Sequence, residues 1–211
     1  NKGGAEVFKK SVRKVLTSKN IGWKTKFHGV MHLLNSSMFL YVFIVAVLSV
    51  PMMYIKDTYP HLAWVFEVTS FFIASTIILF CCYWITYKNI QGKTFDDFVD
   101  YIKLFFSFFS IALGFSLHNV SAVLQGYFGK KSEFVRTPKF NISSLTDSWK
   151  GNKYINTKLS PNMILEFLLM CYFLFGLYSG IKLNDFGLFP FHLMLTFGFG
   201  FIFYKSLIPK A

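Results

Sequence analysis

Long uncharged blocks of apolar residues are the feature that most limits how this chain can fold. Residues 42–50 and 71–82 contain no charged side chain, and each block lies inside a longer apolar stretch. A soluble domain would distribute its apolar residues at helical or strand spacing. About 20 helical residues are enough to cross the roughly 30 Å hydrocarbon layer of a bilayer. The blocks therefore predict an integral membrane protein built from α-helices.

Positive charge is concentrated in two segments of a chain whose net charge is +12. Residues 1–28 hold eight Lys or Arg and one Glu, a net +7, and residues 128–158 hold seven against two acidic residues, a net +5. Basic segments beside membrane spans stay cytoplasmic and attract anionic headgroups. We expect membrane lipids as their partner and no nucleic acid, because neither segment matches a nucleic-acid-binding motif.

The predicted fold is an all-α membrane fold with about four transmembrane helices plus cytoplasmic amphipathic interfacial helices. The four spans are predicted near residues 30–54, 62–87, 163–179 and 187–204, with a short outer turn at 55–61. The corresponding segments are an interfacial helix at 1–28, a transmembrane hairpin at 29–87, interfacial helices at 88–128, a polar cytoplasmic loop at 129–160 and a second hairpin at 161–211. This arrangement places both chain ends in the cytoplasm.

The segment 95–128 is apolar enough to suggest another crossing, but the charge distribution disfavours it. If residues 1–28 are cytoplasmic, two spans return the chain to the cytoplasm at Lys88. A third crossing would then put the second basic segment outside, against the positive-inside rule. We therefore predict one or two interfacial helices, or a re-entrant pair, and the sequence leaves open whether this is one bent helix or two. Gly92 and residues 94–97 predict a turn and a helix start.

The first 20 residues place Val7, Val12 and Leu16 at near-helical spacing among many lysines. This pattern is typical of an amphipathic helix lying on a membrane surface. A solvated basic helix of a soluble domain is the alternative. We favour the membrane surface because a spanning segment follows soon afterwards.

A few polar or reactive side chains lie within the apolar segments. Glu166 is near the inner end of the third predicted span and His192 near the outer end of the fourth, and we interpret both as structural rather than catalytic. Cys81, Cys82 and Cys171 lie in apolar runs without metal-ligand spacing, which predicts inert, reduced, buried thiols.

The polar loop contains an aromatic, a hydroxyl and two cations within six residues: Phe134, Arg136, Thr137 and Lys139. Such a set could bind phosphate, with the guanidinium as a fork and the ammonium as a point charge. The hydroxyl of Thr137 could donate to a phosphate oxygen. The alternative is a solvated cytoplasmic loop whose charges only enforce membrane topology.

These residues also carry a resemblance to a known family. The pattern Phe134-x-x-Thr137-x-Lys139 resembles the Phe-x-Val-Thr-x-Lys gating-loop motif of the processive, membrane-embedded family 2 glycosyltransferases, the cellulose synthases and their relatives. The string SLHNVSAVLQGYFGKKSEFVRTPKF is similar to the bacterial cellulose-synthase-like branch, in which a Leu-His-Asn helix precedes the loop. This similarity implies interfacial support from His118 and Asn119. The opening NKGGAEVFKK resembles the segment after the Gln/Arg/Trp motif of the catalytic domain.

The family resemblance implies a nucleotide-sugar donor, a divalent metal (Mg or Mn), inverting transfer to a growing glycan, and extrusion through the helix bundle. It also implies that the gating loop covers the bound nucleotide, with Phe134, Thr137 and Lys139 matching the motif. Arg136 stands where cellulose synthases have Val. The localisation implied is a bacterial inner (plasma) membrane, with a multi-pass chain.

The catalytic motifs of the family do not occur in this sequence. The metal-binding Asp-x-Asp, the base-bearing acidic motif and the Gln/Arg/Trp motif are absent, and Asp96 and Asp97 are too isolated to replace them. We therefore expect no catalytic residue, metal or cofactor within this chain. The chain begins with Asn1 rather than Met, so we expect part of a longer protein or a trimmed one. The family resemblance implies a preceding catalytic domain, which would hold the metal and act as a partner of this membrane half.

Two other functions are compatible with the residues. One is a non-enzymatic polytopic membrane protein, a transporter or scaffold subunit, whose basic loop binds lipid or a partner. The other is a membrane transferase that uses a lipid-linked donor. That reaction would require a His- or Asp-based site within the membrane, and the scattered His118, Glu166 and His192 do not convincingly build one.

Overall fold

A computed structural model describes residues 1–70, 73–90, 94–130 and 160–208. Within these residues the regular structure is helical, as the sequence predicts, and two short 3-10 turns occur at Leu34–Ser37 and Pro60–Leu62. The α-helices are α1 (Lys2–Thr17), α2 (Trp23–Leu33), α3 (Met38–Thr58), α4 (Ala63–Ser70), α5 (Ile73–Ile90), α6 (Phe95–Gly114), α7 (Ser116–Tyr127), α8 (Pro161–Lys182) and α9 (Phe189–Leu207).

Two helical runs in the described residues are long and apolar enough to cross a membrane. One is the 36-residue run Trp23–Thr58, and the other is the 22-residue helix α8. Helices α6 and α7 form a third span if they cross together. The prediction of a helical membrane protein is confirmed at this level, but the count of four spans is not. Helix α9 is not among these candidate spans.

The helix boundaries differ from several predicted ones. Helix α3 continues through Thr58, so the outer turn predicted at residues 55–61 begins only after that residue. The helix stops only where Pro60 follows, since the residue before a proline is pushed out of the helical region. Helix α8 begins at Pro161 rather than Met163, because proline is well suited to the first position of a helix. It also runs to Lys182, past the predicted end at 179.

The start of α6 confirms the predicted turn and helix start at residues 94–97. The backbone N–H and the hydroxyl of Thr94 both donate to Asp97 Oδ2, at 2.9 and 2.5 Å. The Asp97 N–H donates back to Thr94 Oγ1 at 3.3 Å. Reciprocal bonds of this kind satisfy the backbone donors of a first helical turn. Segment 95–128 consists of two helices, with a break at Phe115.

The chain divides into two compact units. The first unit contains Asn1–Val45, Phe115–Phe167 and Ile202–Ala211, and the second contains Ala46–Gly114 and Leu168–Phe201. Helices α3, α8 and α9 each contribute residues to both units. The functional side chains of each unit are described separately below.

In the first unit, α1 packs against α7 through small residues. Ala5 is fully buried, and a Cβ added at Gly126 would lie 2.5 Å from the Lys2 carbonyl oxygen and 2.8 Å from the Ala5 Cβ. On the other side of α1, a Cβ at Gly4 would clash with the Ser36 hydroxyl. Small residues let helix backbones approach closely, so these positions define the contact.

Two of the three apolar residues predicted to form the membrane-facing stripe of α1 are largely exposed. Val7 is 50% and Leu16 is 48% exposed. Docking of α1 on α7 therefore leaves these side chains available to a membrane surface.

In the second unit, the core combines aromatic packing with one very close backbone approach. Phe173 and Phe199 are fully buried, and their rings stack with centroids 5.7 Å apart. A Cβ at Gly198 would clash with the Ser110 carbonyl oxygen and would lie 3.0 Å from the Gly114 backbone nitrogen. Helices α6 and α9 are therefore in backbone contact at this point.

The predicted burial of the cysteines is wrong. Cys81, Cys82 and Cys171 are all free and exposed at the surface of α5 and α8. Their apolar neighbours are exposed as well, including Ile77, Ile78 and Leu168. An apolar run in a membrane helix faces lipid as readily as protein, so hydrophobic surroundings in the sequence did not imply a buried thiol.

Candidate functional site

The predicted substrate-binding loop lies outside the described residues. This applies to Phe134, Arg136, Thr137 and Lys139, whose roles remain predictions from sequence. The two predicted support residues, His118 and Asn119, lie within the described part of the chain, on α7. The site that can be built from described residues therefore begins with this helix.

His118 and Glu166 form an ion-pair contact between α7 and α8. The His118 Nε2 lies 3.5 Å from the Glu166 Oε1. The Glu166 side chain is completely buried, whereas the His118 side chain is 41% exposed. The Phe115 ring packs edge-on against the imidazole, with centroids 6.2 Å apart. The two residues are scattered in the sequence, and the structure brings them together.

The polar atoms of this pair have few other partners in the described residues. Neither Glu166 carboxylate oxygen nor His118 Nδ1 has a well-formed hydrogen bond there. The Ser206 hydroxyl of α9 provides a weaker interaction with the carboxylate. A buried carboxylate without hydrogen bonds is costly unless it is neutralised or paired. Protonated His118 is the counter-charge that the geometry supplies.

Asn119, the residue next to His118, is tied to the beginning of the chain. The Asn1 Nδ2 donates to the Asn119 Oδ1 at 2.6 Å. At the other end of α7, the Lys9 ammonium donates to the Tyr127 carbonyl oxygen at 2.8 Å, and the Tyr127 hydroxyl contacts the Ser37 hydroxyl. Helix α7 is therefore held by α1 along its length, and the support role of Asn119 stays a prediction.

The second unit has its own buried histidine, His192, bound to Ser49. The Ser49 Oγ lies 2.8 Å from the His192 Nε2 and also donates to the Ala46 carbonyl oxygen at 2.6 Å. If the hydroxyl proton is given to Ala46, the imidazole that completes the contact is the tautomer protonated on Nε2, which donates to Ser49. The pair links α3 to α9.

Two further polar contacts join α3 to α8 in this unit. The Tyr172 hydroxyl donates to the Val47 carbonyl oxygen at 2.6 Å. That carbonyl has no helical donor, because residue 51 is a proline and lacks an N–H. The Ser179 hydroxyl donates to the Phe175 carbonyl oxygen at 2.8 Å and accepts from the Tyr54 hydroxyl at 2.8 Å. Within the membrane, such contacts provide the hydrogen bonds that polar groups cannot obtain from lipid.

An ion pair lies at the turn between α8 and α9. The Lys56 ammonium donates to the Asp185 carboxylate at 2.7 Å. This hydrogen bond, together with one from the Gly187 N–H, holds the pKa of Asp185 below its ordinary value. The turn is helped by Asn184, whose φ of 51° is in the left-handed region that asparagine tolerates.

The second unit also contains an apolar groove between α5 and α6, with a volume of about 330 Å³. Its lining is mostly aromatic and contains no charged side chain, with Tyr83, Tyr87, Tyr101, Phe105 and Phe108 among its members. The Tyr101 hydroxyl is already used, since it donates to the Phe80 carbonyl oxygen at 2.6 Å. The groove therefore offers no charged group to a phosphate, and its mostly aromatic lining suits an apolar occupant.

The described residues contain no group of three or more His, Cys, Asp or Glu side chains that could hold a metal ion. The divalent metal implied by the family resemblance is expected in a preceding catalytic domain, so this part of the chain does not test it.

The pairing of Glu166 with His118 is the feature that sequence reasoning missed. The signal available was the charge itself, because an ionisable residue inside a membrane segment needs a partner.

Comparison of this chain with protein-family models, with curated proteins and with solved structures finds no match.

Proposed function

We propose that this chain is the membrane half of a processive family 2 glycosyltransferase, which elongates a polysaccharide from a nucleotide-sugar donor and passes it through the helix bundle. In this proposal the segment from Phe134 to Lys139 is the lid over the bound donor. The chain crosses a bacterial inner membrane four times, with both ends in the cytoplasm. The catalytic carboxylates and the divalent metal belong to a domain that precedes Asn1.

The observation that carries the proposal is the docking of α1 on α7. The sequence of α1 resembles the family segment that leaves the catalytic domain, and α7 lies directly before the proposed lid motif. Asn1 bonds to Asn119, and no side chain would fit between Gly126 and the backbone of α1. A domain attached before Asn1 would therefore begin beside α7. A lid for that domain requires this proximity.

The roles of the lid residues follow from their chemistry. Lys139 provides a point charge for the donor phosphates, and Thr137 provides a hydroxyl donor. Phe134 supplies an apolar face that excludes water from the bound nucleotide. Arg136 adds a planar guanidinium, which binds phosphate oxygens in pairs, at the position where cellulose synthases carry Val. Each of these residues binds or covers the donor, and none takes part in bond making.

The first experiment measures polymer synthesis from nucleotide sugars by the full-length parent protein in membranes. We expect the Thr137→Ala/Lys139→Ala variant to lose at least about 90% of synthesis, because the two side chains that position the donor phosphates are removed. Membrane insertion should be unchanged, because two substitutions in a loop leave the apolar spans intact. Unchanged synthesis would overturn the lid role and would favour a non-enzymatic membrane protein with a lipid-binding or partner-binding loop.

A second pair of variants tests the docking of α1 on α7. Gly126→Ala places a Cβ against the Lys2 carbonyl, whereas Gly3→Ala on the same helix pair meets nothing within 4 Å. We expect Gly126→Ala to reduce synthesis severalfold and Gly3→Ala to leave it near the wild-type rate. Equal rates for the two variants would show that the close contact does not matter for the reaction.

A further inference from the structure

Helix α2 presents an exposed apolar stripe along one of its faces. Trp23, Phe27 and Met31 follow one another at intervals of four residues and are 74%, 52% and 53% exposed. Since an α-helix turns by about 100° per residue, these three side chains lie within about 80° of its circumference. Large apolar side chains aligned in this way indicate a surface that meets a membrane or a partner.

The opposite face of α2 is the one that packs against α1. Position 29 is two residues from Phe27, so it lies nearly on the other side of the helix. A Cβ added at Gly29 would lie 3.4 Å from the Val15 Cγ1 of α1. The Lys26 ammonium also donates to the Leu16 carbonyl oxygen of α1 at 2.9 Å. This docking directs the stripe of α2 away from α1.

The length of the helical run places α2 at the membrane surface. The run Trp23–Thr58 has 36 residues. At 1.5 Å per residue it is about 54 Å long, whereas the hydrocarbon layer is roughly 30 Å thick. Even a tilt of about 40° leaves about 10 Å of the run outside that layer. Helix α3 alone has 21 residues, enough for one crossing, and the four-residue 3-10 turn Leu34–Ser37 joins it to α2.

The charges around the stripe favour a surface that contains anionic lipid. Lys24 is exposed beside Trp23, and its long side chain reaches the headgroups while its apolar neighbours insert. Residues 1–28 carry a net charge of +7, with Glu6 as their single acidic residue. Basic segments of this kind are attracted to anionic headgroups, and tryptophan prefers the headgroup level of a bilayer.

The exposed apolar residues of α1 point in different directions. Val7 and Leu16 are 50% and 48% exposed, but they are nine residues apart, which is about half a turn in direction. A single bilayer surface therefore cannot take up both of them. Ala5 is fully buried and Val12 is partly buried, so the apolar side of α1 is largely used within the protein.

We propose that α2 is the membrane-inserting element of the amino-terminal segment. Its stripe of Trp23, Phe27 and Met31 lies at the boundary between headgroups and acyl chains of a leaflet that contains anionic lipid. Lys24 lies beside the stripe at the headgroups, and α1 is docked on the opposite face, away from the acyl chains. The proposal assigns insertion to α2 instead of α1. It does not depend on the proposed function, since it concerns attachment to lipid alone.

The experiment measures quenching of tryptophan fluorescence by brominated phospholipids, with the full chain in nanodiscs that contain phosphatidylglycerol. Trp23 is kept as the single tryptophan. The other three are replaced by Phe: Trp64, Trp84 and Trp149. The matched control moves the tryptophan across the same helix by Trp23→Phe/Thr25→Trp, because Thr25 is exposed and lies nearly opposite Phe27. We expect bromines near the headgroup end of the acyl chain to quench Trp23 at least about twofold more than the control tryptophan.

Two results would overturn the proposal. Equal quenching at the two positions would show that both faces of α2 lie in hydrocarbon. Absence of quenching at Trp23 would show that water, another segment of the protein or a second copy covers the stripe. Bromines near the methyl end of the acyl chain should quench Trp23 less than those near the headgroup end, and the reverse order would also contradict an interfacial position.

The contribution of lipid charge is tested with the same chain in nanodiscs of phosphatidylcholine alone. We expect quenching of Trp23 to fall by about half without anionic lipid, and Lys24→Gln to reduce this difference. Lys10→Gln, at an exposed position of α1, is the control and should preserve the difference. Equal quenching in the two lipids would overturn the assignment of anionic lipid, and equal losses for the two variants would contradict the role of Lys24.

A measurement without any substitution covers the case in which a variant does not fold. Backbone hydrogen exchange in α2 of the wild type is compared between the two kinds of nanodisc, with α8 as the reference because it is long and apolar enough to cross a membrane. We expect exchange in α2 to be severalfold slower with phosphatidylglycerol, and exchange in α8 to be unchanged. Equal changes in the two helices would contradict insertion of α2.

Discussion

The two compact units each contain a histidine that contacts a buried polar side chain, and the two contacts differ in kind. His118 in the first unit faces a buried carboxylate at 3.5 Å, with no well-formed hydrogen bond on Glu166 in the described residues. His192 in the second unit is fully buried and makes a neutral hydrogen bond of 2.8 Å to Ser49, which is itself anchored to a backbone carbonyl.

The difference teaches that the partner of a histidine, more than its burial, decides what the contact requires. The Ser49–His192 hydrogen bond needs no charge, although the His192 Nδ1 has no well-formed hydrogen bond among the described residues. The His118–Glu166 contact places a partly exposed imidazole against a completely buried carboxylate. A buried carboxylate depends on its neighbours for a counter-charge or a proton, whereas a neutral hydrogen bond joins two helices without either.

The largest expected effect comes from removing the cation of the charged pair. We expect His118→Leu to lower the free energy of unfolding by about 3 kcal/mol at pH 7, because it leaves Glu166 buried and unpaired. The value is at the lower end of the range for buried pairs, since His118 is partly exposed. Adding Glu166→Met should restore most of the loss, because an apolar pair needs no counter-charge. SDS titration in mixed micelles measures both; failure of the second substitution to restore stability would argue against an isolated pair.

Removing the partner of the neutral histidine should cost less. We expect Ser49→Ala to destabilise the protein by about 1 to 2 kcal/mol, because the His192 Nε2 loses its buried acceptor. The cost should be nearly independent of pH between about 5.5 and 8, since no charge is involved. The same titration at both pH values tests this, and a cost comparable to that of His118→Leu would remove the distinction between the two histidines.

Tyr172 provides a third test, within the second unit. Tyr172→Phe should cost about 1 kcal/mol, because the Val47 carbonyl freed by Pro51 loses its donor. In a Pro51→Ala background, the restored N–H can take that carbonyl, and the cost of Tyr172→Phe should be close to zero. Tyr178→Phe is the matched control, since Tyr178 is 58% exposed. Equal costs in the two backgrounds would contradict the carbonyl-donor role.

The smallest effect is expected at the turn between α8 and α9. Because Lys56 and Gly187 hold the pKa of Asp185 below its ordinary value, the stabilisation is present above the pKa of the unfolded chain, near 3.9. It is lost as the pH falls towards the lower pKa of the folded state. Asp185→Asn should remove this acid sensitivity and cost under about 1 kcal/mol at pH 7, as Lys56 is 43% exposed. Stability curves measured from pH 3 to 7 test this prediction, with Asp100→Asn as the exposed control. An Asp185→Asn variant that lost as much stability at acid pH as the wild type would contradict it.

The helical membrane fold could be predicted from the sequence because its signals are local. Uncharged apolar runs predict membrane helices, and the Thr94–Asp97 hydrogen bonds are a pattern contained within four residues. Boundaries were less predictable. Helix α3 extends past Tyr54, where the first span is expected to end. Its residues become less apolar there, but the helix stops only where Pro60 follows.

The partners across helices could not be predicted, because they depend on which faces meet. His118 and Glu166 are 48 residues apart, and no spacing in the sequence assigns them to each other. The docking surface of α1 was missed for a related reason. The large residues Val7 and Leu16 attracted attention, whereas close packing used Ala5 and the space beside Gly126. The predicted lid residues lie outside the described residues, so the sequence remains their only evidence.

The contact between Tyr172 and Val47 has a consequence for how substitutions should be tolerated. The acceptor is a backbone oxygen, which every amino acid at position 47 supplies equally well, whereas the donor is one particular phenol. The two ends of the bond are therefore under unequal constraint. A saturation library should accept many apolar residues at Val47 and few alternatives at Tyr172, and the tolerance at position 172 should widen only in chains that have also lost the proline at position 51.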